Sequence, residues 1–177
     1  MAVREILQAG NDLLYRKSKP VDFRKDHVEA LMGDLSDTLV DFMARKKLGR
    51  GISGPQIGVL KRAVYVIEDG RHLSFINPRI TKRSKKKMMV WDSCFCYDLD
   101  IFVLIERSRD VTVEYYTPVG KKKVEDFSGP LSELLQHETD HLDGILSYQH
   151  LKEPVRIMRR SEWEKHGRPY IIKGWEG

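Results

Sequence analysis

Residues 131–142 constrain this chain more than any other stretch. Leu131, Leu134, Leu135 and Leu142 form an apolar stripe if the segment is helical. Beside that stripe stand His137 and His141, four residues apart, with Glu138 next to the first. Side chains four apart on a helix share a face, so both imidazoles can reach one cation. The chain must therefore pack one helix against its core and still present polar groups to a cleft. Ser128, Gly129 and Pro130 supply a capping side chain and a first-turn proline, and Gly144 can take the left-handed conformation that closes a helix.

His-Glu-x-x-His on a helix is the zinc-hydrolase arrangement. The cation lowers the pKa of a water toward ~7, and the carboxylate takes and returns its proton. Glu138 suits that acid/base role because it neighbours a ligand without being one. Two surface histidines and a glutamate produce the same spacing with no chemistry, but the adjoining leucines favour a partly buried face. Gln136 and Asp140 flank the histidines and can hydrogen-bond behind them. A catalytic site needs three protein ligands and one open position. Cys94 is the stronger candidate for the third, since thiolates bind borderline metals tightly. Glu162 or Glu164 is the alternative. Cys96 shares a face with Cys94 if their segment is extended, yet ligation by both would close the site.

The remaining pattern is α+β. A helix is predicted over residues 26–47, where Val28, Leu31, Met32, Leu35, Leu39, Phe42 and Met43 mark an apolar face. Asp26 can cap it, and Gly49 lies just beyond its end. The Gly-rich stretch 49–58 reads as a shaped loop. Strands are predicted at 63–67 and 73–76 around an Asp69-Gly70 hairpin turn, and in an interrupted extended run over 80–96. Further strands are predicted at 101–105, 111–116 and 121–127, with a turn at 117–120. A short helix over 156–165 and a terminal strand over 170–173 complete the pattern. Strands grouped between two long helices argue for an α+β domain. The 177 residues suffice for one domain, over 1–177, with its own core.

Composition excludes several classes. The 31 basic and 26 acidic residues leave a formal net charge of +5. That balance favours polyanionic surroundings, but it reads better as a solvated surface than as sequence-specific nucleic-acid binding. Cys94 and Cys96, one residue apart, cannot staple a secreted scaffold. No apolar run approaches the ~20 residues of a membrane span, and the first residues lack the apolar stretch of a signal peptide. A cytoplasmic location, with reduced thiols free to bind metal, is expected.

Three segments together resemble the peptide deformylases. Gly49-Arg50-Gly51-Ile52-Ser53-Gly54-Pro55-Gln56 is similar to that family's Gly-x-Gly-x-Ala-Ala-x-Gln. Asp92-Ser93-Cys94-Phe95-Cys96 is similar to Glu-Gly-Cys-Leu-Ser, and residues 136–144 match Gln-His-Glu-x-Asp-His-Leu-x-Gly in full. Order and spacing agree, and the resemblance spans roughly residues 5 to 152. It implies small antiparallel or mixed sheets around a central metal-binding helix. It implies a hydrolase that removes formyl from the N-terminal methionine of newly made polypeptides. One divalent ion would be held by Cys94, His137 and His141, with Fe2+ in cells and Zn2+ or Ni2+ in purified material. Glu138 would act as base and then acid. The side-chain amide of Gln56 and the N–H of Phe95 would donate to the oxyanion. Gly49, Arg50, Gly51, Ile52, Glu133 and Leu134 would line the substrate cleft, and Asp92, Arg107 and Asp140 would support the ligands from behind. N-formylated nascent peptides would be the partner, with no membrane. The lysines of 82–87 and 121–123 could make transient ribosome contact, but a solvated, positively charged hairpin edge accounts for them better.

The chain departs from the pattern in three places. Its second motif keeps only the cysteine. Asp92 replaces a glutamate that pairs with an arginine, and Arg107 stands where that arginine is expected, so an Asp92–Arg107 pair is predicted. Arg50 and Glu133 bring charge where the family has apolar residues. Either they pair, or Glu133 meets a polar or basic substrate side chain, or it points to solvent. Two other functions therefore stay open: a related metallohydrolase acting on a different N-formyl or N-acyl substrate, and a non-catalytic metal- or peptide-binding relative. Intact Glu138 speaks against the last, because binding needs no base.

Overall fold

The computed structural model describes residues 2–168 and 170–172. Its first long element, α1 (Val28–Lys46), buries Val28, Met32, Leu35, Leu39 and Phe42. This is the stripe that steps of three and four residues predict, and it packs on Ile52, Ala63 and Tyr65. Asp26 does not cap the helix. Its carboxylate accepts from the Asp22 N–H at 2.7 Å and from Lys61 Nζ at 2.6 Å, a charged donor that binds it more strongly than a helix-end amide would. The terminator is Lys47, not Gly49. Lys47 adopts a left-handed φ of 56°, and its N–H bonds to the Met43 carbonyl.

Two antiparallel sheets follow. The larger runs in the order β1 (Gly51–Ser53), β2 (Ala63–Glu68), β3 (Arg71–Arg83), β6 (Asp110–Tyr116) and β7 (Lys122–Ser128). The smaller contains β4 (Lys87–Ser93), β5 (Ile101–Ser108) and β8 (Ile157–Arg159). The chain leaves the first sheet after β3, makes the β4–β5 pair of the second and returns at β6. Asp69 and Gly70 turn β2 into β3 with φ of 50° and 71°, the pair of left-handed residues whose twist matches a two-residue hairpin. The loop predicted over 49–58 is instead the edge strand β1 followed by a 3-10 turn at Gly54–Ile57. The extended run predicted over 80–96 stops at Ser93, and Phe95–Tyr97 is a second 3-10 turn.

Between the sheets lies α2 (Gly129–Leu142), touching β1, β2, β3, β6 and β7 on one side and β5 on the other. All eleven residues from Ser132 to Leu142 are buried, so the helix is enclosed on every side and not only along its leucines. Several of its polar groups are matched internally, although among the described residues Glu138 Oε2 and His141 Nδ1 have no hydrogen-bond partner. Gln136 exchanges hydrogen bonds of 3.0 and 2.8 Å with the Ser108 backbone, and Thr139 Oγ1 donates to the Leu135 carbonyl at 2.6 Å. Ser128 makes no capping bond through its side chain. It is also the last residue of β7, paired with Asp110, and the strand governs it.

The helix predicted over 156–165 divides. Ile157 and Met158 pair with Val103 and Phe102 of β5, and only α3 (Arg160–Lys165) is helical. Trp163 on α3 is fully buried and stacks on Phe102 at 4.3 Å. The terminal strand predicted over 170–173 is reduced to one antiparallel bridge between Ile171 and Val90, with Lys173 outside the described residues.

Candidate metal centre and active site

His137, Glu138 and His141 project from α2, and Cys94 reaches them from the residue after β4. Cys94 Sγ lies 3.1 Å from His141 Nε2, and that nitrogen lies 3.1 Å from His137 Nε2. Cys94 Sγ and His137 Nε2 thus each approach His141 Nε2, giving a buried set of two imidazole nitrogens and one sulfur suited to Zn2+ or Fe2+. Cys96 is also close, since ligand atoms of Cys94, Cys96 and His141 lie within 4.8 Å of one another. The 3-10 turn, and not strand alternation, brings it there. Its backbone N–H donates to Cys94 Sγ at 3.4 Å. Glu162 and Glu164 are not part of the site; they pair with Lys165 and with Arg160 and Arg168 on and after α3.

Asp92 orients the first histidine. Its Oδ1 accepts from His137 Nδ1 at 2.7 Å and its Oδ2 from Arg107 Nη2 at 2.9 Å. The predicted Asp92–Arg107 pair is therefore present and extends to His137. Arg107 also pairs with Asp140, which accepts from His150 Nε2 at 2.8 Å. Holding the proton on Nδ1 leaves the Nε2 lone pair of His137 for a cation. Gln136, by contrast, does not support the histidines; it ties α2 to β5.

Burial opposes a charge on His137, but the Asp92 carboxylate outweighs it and pushes the imidazole up to about 9. Burial, aided by His137, holds His141 well below its usual range. Burial likewise raises the Cys94 thiol well above its usual range. A cation held by these residues would replace protons on sulfur and nitrogen.

Glu138 is 2% exposed, and burial pushes it up to about 7 against the pull of His137 and Ser53. Among the described residues its Oε2 has no hydrogen-bond partner. An open carboxylate oxygen beside three converging donors fits a divalent cation and a group that must take a proton next to it. Gly51 makes the room: a Cβ there would meet Glu138 Oε1 at 2.7 Å and Leu134 Cδ1 at 3.0 Å. Gln56 is anchored by Ser53, whose N–H and Oγ both donate to Gln56 Oε1 at 2.8 Å. Its Nε2 is left facing the two sulfurs, at 3.7 and 3.8 Å. Phe95 stacks on Phe42 at 4.1 Å and so fixes the turn next to Cys94.

In front of these groups is a small cavity of about 40 Å³. Gly49, Arg50, Gly51, Glu133 and Leu134 line it as expected. Ile52 does not. Strand alternation turns its side chain into the core beneath α1. Glu133 does not point to solvent; it is 6% exposed, and its Oε2 accepts from Arg50 Nη2 at 2.8 Å. Arg50 also donates to Glu68 and to the Pro130 carbonyl, each at 3.3 Å. Trp91, Ser93, Leu99 and Tyr170 also line it. Sequence reasoning missed Trp91, Leu99 and Tyr170, and nothing in the local pattern marks them.

Comparison with known proteins agrees with this geometry. The family model described as polypeptide deformylase matches residues 3–156. A peptide deformylase from Pseudothermotoga lettingae is 35% identical over 144 residues, covering 81% of this chain and 80% of the relative. Peptide deformylase 2 of Clostridium perfringens is 35% identical over 164 residues, covering 90% and 100%. The crystal structure of peptide deformylase from Thermotoga maritima superposes with a TM-score of 0.78 at 26% identity, over 86% of this chain and 99% of that one. The Met-Ala-Ser-bound class I type b enzyme from Acinetobacter baumannii gives 0.75 at 26% identity, over 85% and 99%.

Proposed function

The chain belongs to the polypeptide deformylase family, and on that premise we propose how its residues divide the work. It is a metal-dependent hydrolase that removes the N-formyl group from newly made polypeptides. Cys94, His137 and His141 would hold one divalent ion, with Fe2+ proposed in cells and Zn2+ or Ni2+ in purified protein. That ion would supply Lewis-acid polarisation of the formyl carbonyl and of a water. Glu138 would take a proton from the attacking water and later give it to the leaving amine. Without a cation, burial raises its carboxyl to about 7, so the pocket itself lets this group hold a proton. Gln56 Nε2 and the Phe95 N–H donate to the formyl oxygen as negative charge builds. Ser53 sets the Gln56 amide beforehand, so no reorganisation is needed during the reaction. Asp92 positions His137, and Arg107 with Asp140 positions Asp92. The observation that carries this reading is the convergence of the three donors beside a buried carboxylate with an open oxygen.

The substrate proposed is an N-formylated peptide of the kind whose product, Met-Ala-Ser, is bound in the Acinetobacter relative. We take residues 1–177 as one domain working in the cytoplasm; no helix among the described residues is long and apolar enough to cross a membrane. Ribosome contact is assigned to Lys82, Lys85 and Lys86, which are exposed. Lys122 and Lys123 sit by the opposite end of β6 and are engaged by Glu114 and Glu125.

Formate release from formyl-Met-Ala-Ser, assayed without oxygen in the presence of Fe2+ or Ni2+, tests the reading. Wild type should release formate and Glu138→Ala should not. Wild-type protein that binds metal yet releases none would refute it and favour a different formyl or acyl substrate.

A further inference from the structure

Cys96 has no part in the hydrolysis, yet it stands beside a metal ligand. The chain departs from Glu-Gly-Cys-Leu-Ser by placing a second thiol at the last position. Cys94 and Cys96 are both unbridged and 1% exposed. Cys94 caps the 3-10 turn Phe95–Tyr97, and its Sγ accepts from the Cys96 N–H at 3.4 Å. The turn is pinned on both sides. The Tyr97 and Leu99 N–H groups donate to the Cys94 carbonyl at 3.3 and 3.1 Å, and the Ala9 N–H donates to the Cys96 carbonyl at 2.6 Å. The two sulfurs lie within 4.8 Å of each other. A disulfide needs about 2 Å between them, and side-chain rotation can close that gap.

Access differs between the two. Cys94 lines the cleft in front of Glu138, whereas Cys96 packs with Leu14 and Leu146. A small oxidant entering the cleft therefore meets Cys94 first. A cysteine that holds a cation does so as a thiolate, the form that peroxide attacks. Alone, the resulting sulfenic acid goes on to sulfinic and sulfonic acids, which thiols do not restore. A second thiol at hand diverts it to a disulfide. Service as a fourth ligand would instead fill the position that a hydrolytic metal keeps open.

We propose that Cys94 and Cys96 form a site of reversible oxidation by peroxide. The Cys94 thiolate takes one oxygen from hydrogen peroxide, giving a sulfenic acid and hydroxide. The Cys96 sulfur then attacks the Cys94 sulfur. The S–S bond forms as the S–O bond breaks, and the oxygen leaves as water with the Cys96 proton. The site loses its sulfur ligand and releases its ion until a thiol reductant restores both cysteines. That release rests on the ligand role proposed for Cys94; formation of the disulfide does not.

Full-length zinc-loaded protein is treated with a small excess of hydrogen peroxide. Remaining thiols are blocked with iodoacetamide, and the tryptic peptide 88–107, which holds both cysteines, is weighed and fragmented. Wild type should give an unalkylated peptide two hydrogens lighter, lose its zinc to a coloured chelator, and rebind zinc after dithiothreitol. Cys96→Ser should bind zinc like wild type before oxidation. Afterwards it should carry two or three oxygens on Cys94 and regain no zinc. Cys96→Ala should do the same. If neither variant folds, the wild-type mapping decides. A wild-type peptide with Cys96 alkylated, whatever the state of Cys94, would overturn the proposal. So would Cys96→Ser that regains zinc as wild type does. Protein that never binds zinc refutes the ligand role of Cys94, and mapping of the metal-free protein then judges the disulfide by itself.

Discussion

Replacing Asp92 with alanine tests whether the metal ligands are held from behind. The carboxylate is 2% exposed and accepts two charge-assisted hydrogen bonds, 2.7 Å from His137 and 2.9 Å from Arg107. Removing one partner of a buried ion pair costs about 3–5 kcal/mol when the remaining charge is left alone. Arg107 keeps Asp140, so the expected loss is smaller, about 2–3 kcal/mol. A second effect is separate from stability. His137 loses the acceptor that fixes its Nδ1 proton, and metal affinity should fall about 10- to 100-fold. Urea unfolding of chelator-stripped protein reads the first effect; competition with a coloured chelator reads the second. Asp92→Asn keeps the shape and one acceptor oxygen, so it should lose less stability while still weakening metal binding. The pH dependence has a definite sign. Burial would raise Asp92, but His137 and Arg107 hold it well below the usual carboxylate range. Its contribution is therefore complete above the unfolded value of about 3.9 and is lost as pH falls through the lower folded value. Below about pH 4 the wild type should lose stability more steeply than Asp92→Ala. If Asp92→Ala unfolds within about 0.5 kcal/mol of wild type and binds metal equally well, the supporting role is wrong.

Zn2+ uptake by stripped protein at pH 7 should release about two protons, one from the Cys94 thiol and one from His137; an indicator dye in weak buffer measures them, and no release would contradict the ligand assignment. Gln56→Ala should lower kcat by about 10²–10³-fold, with little change in KM in steady-state assays, because the amide is assigned to charge that develops during the reaction. Gly144→Ala should cost about 1–3 kcal/mol in denaturant unfolding: Gly144 has φ of 78°, and a Cβ there would meet the Tyr15 carbonyl oxygen at 2.6 Å.

Helix and hairpin signals are local, and they are legible in this chain without coordinates. The spacing of His137, His141 and the leucines places a metal-facing helix because four-residue periodicity is a property of helical backbone itself. Asp69-Gly70 marks its hairpin for a similar reason, since those residues tolerate the left-handed conformations the turn requires. Local chemistry misleads where a side chain has a choice of partners. Asp26 and Ser128 look like caps, but Lys61 claims the first and the β7 pairing governs the second. Only the tertiary structure decides that Ile52 faces the core, that Cys96 turns back toward Cys94, and that Asp92 joins Arg107 to His137. Sequence alone leaves Glu133 open among pairing with Arg50, meeting a substrate and facing solvent; the enclosure of α2 between two sheets, with Arg50 brought to it from beside the edge strand, decides for the pair. Tyr170 is further still from anything local pattern can express. Its place depends on register against β4, and register joins residues about 80 positions apart, whereas periodicity relates only near neighbours along the chain.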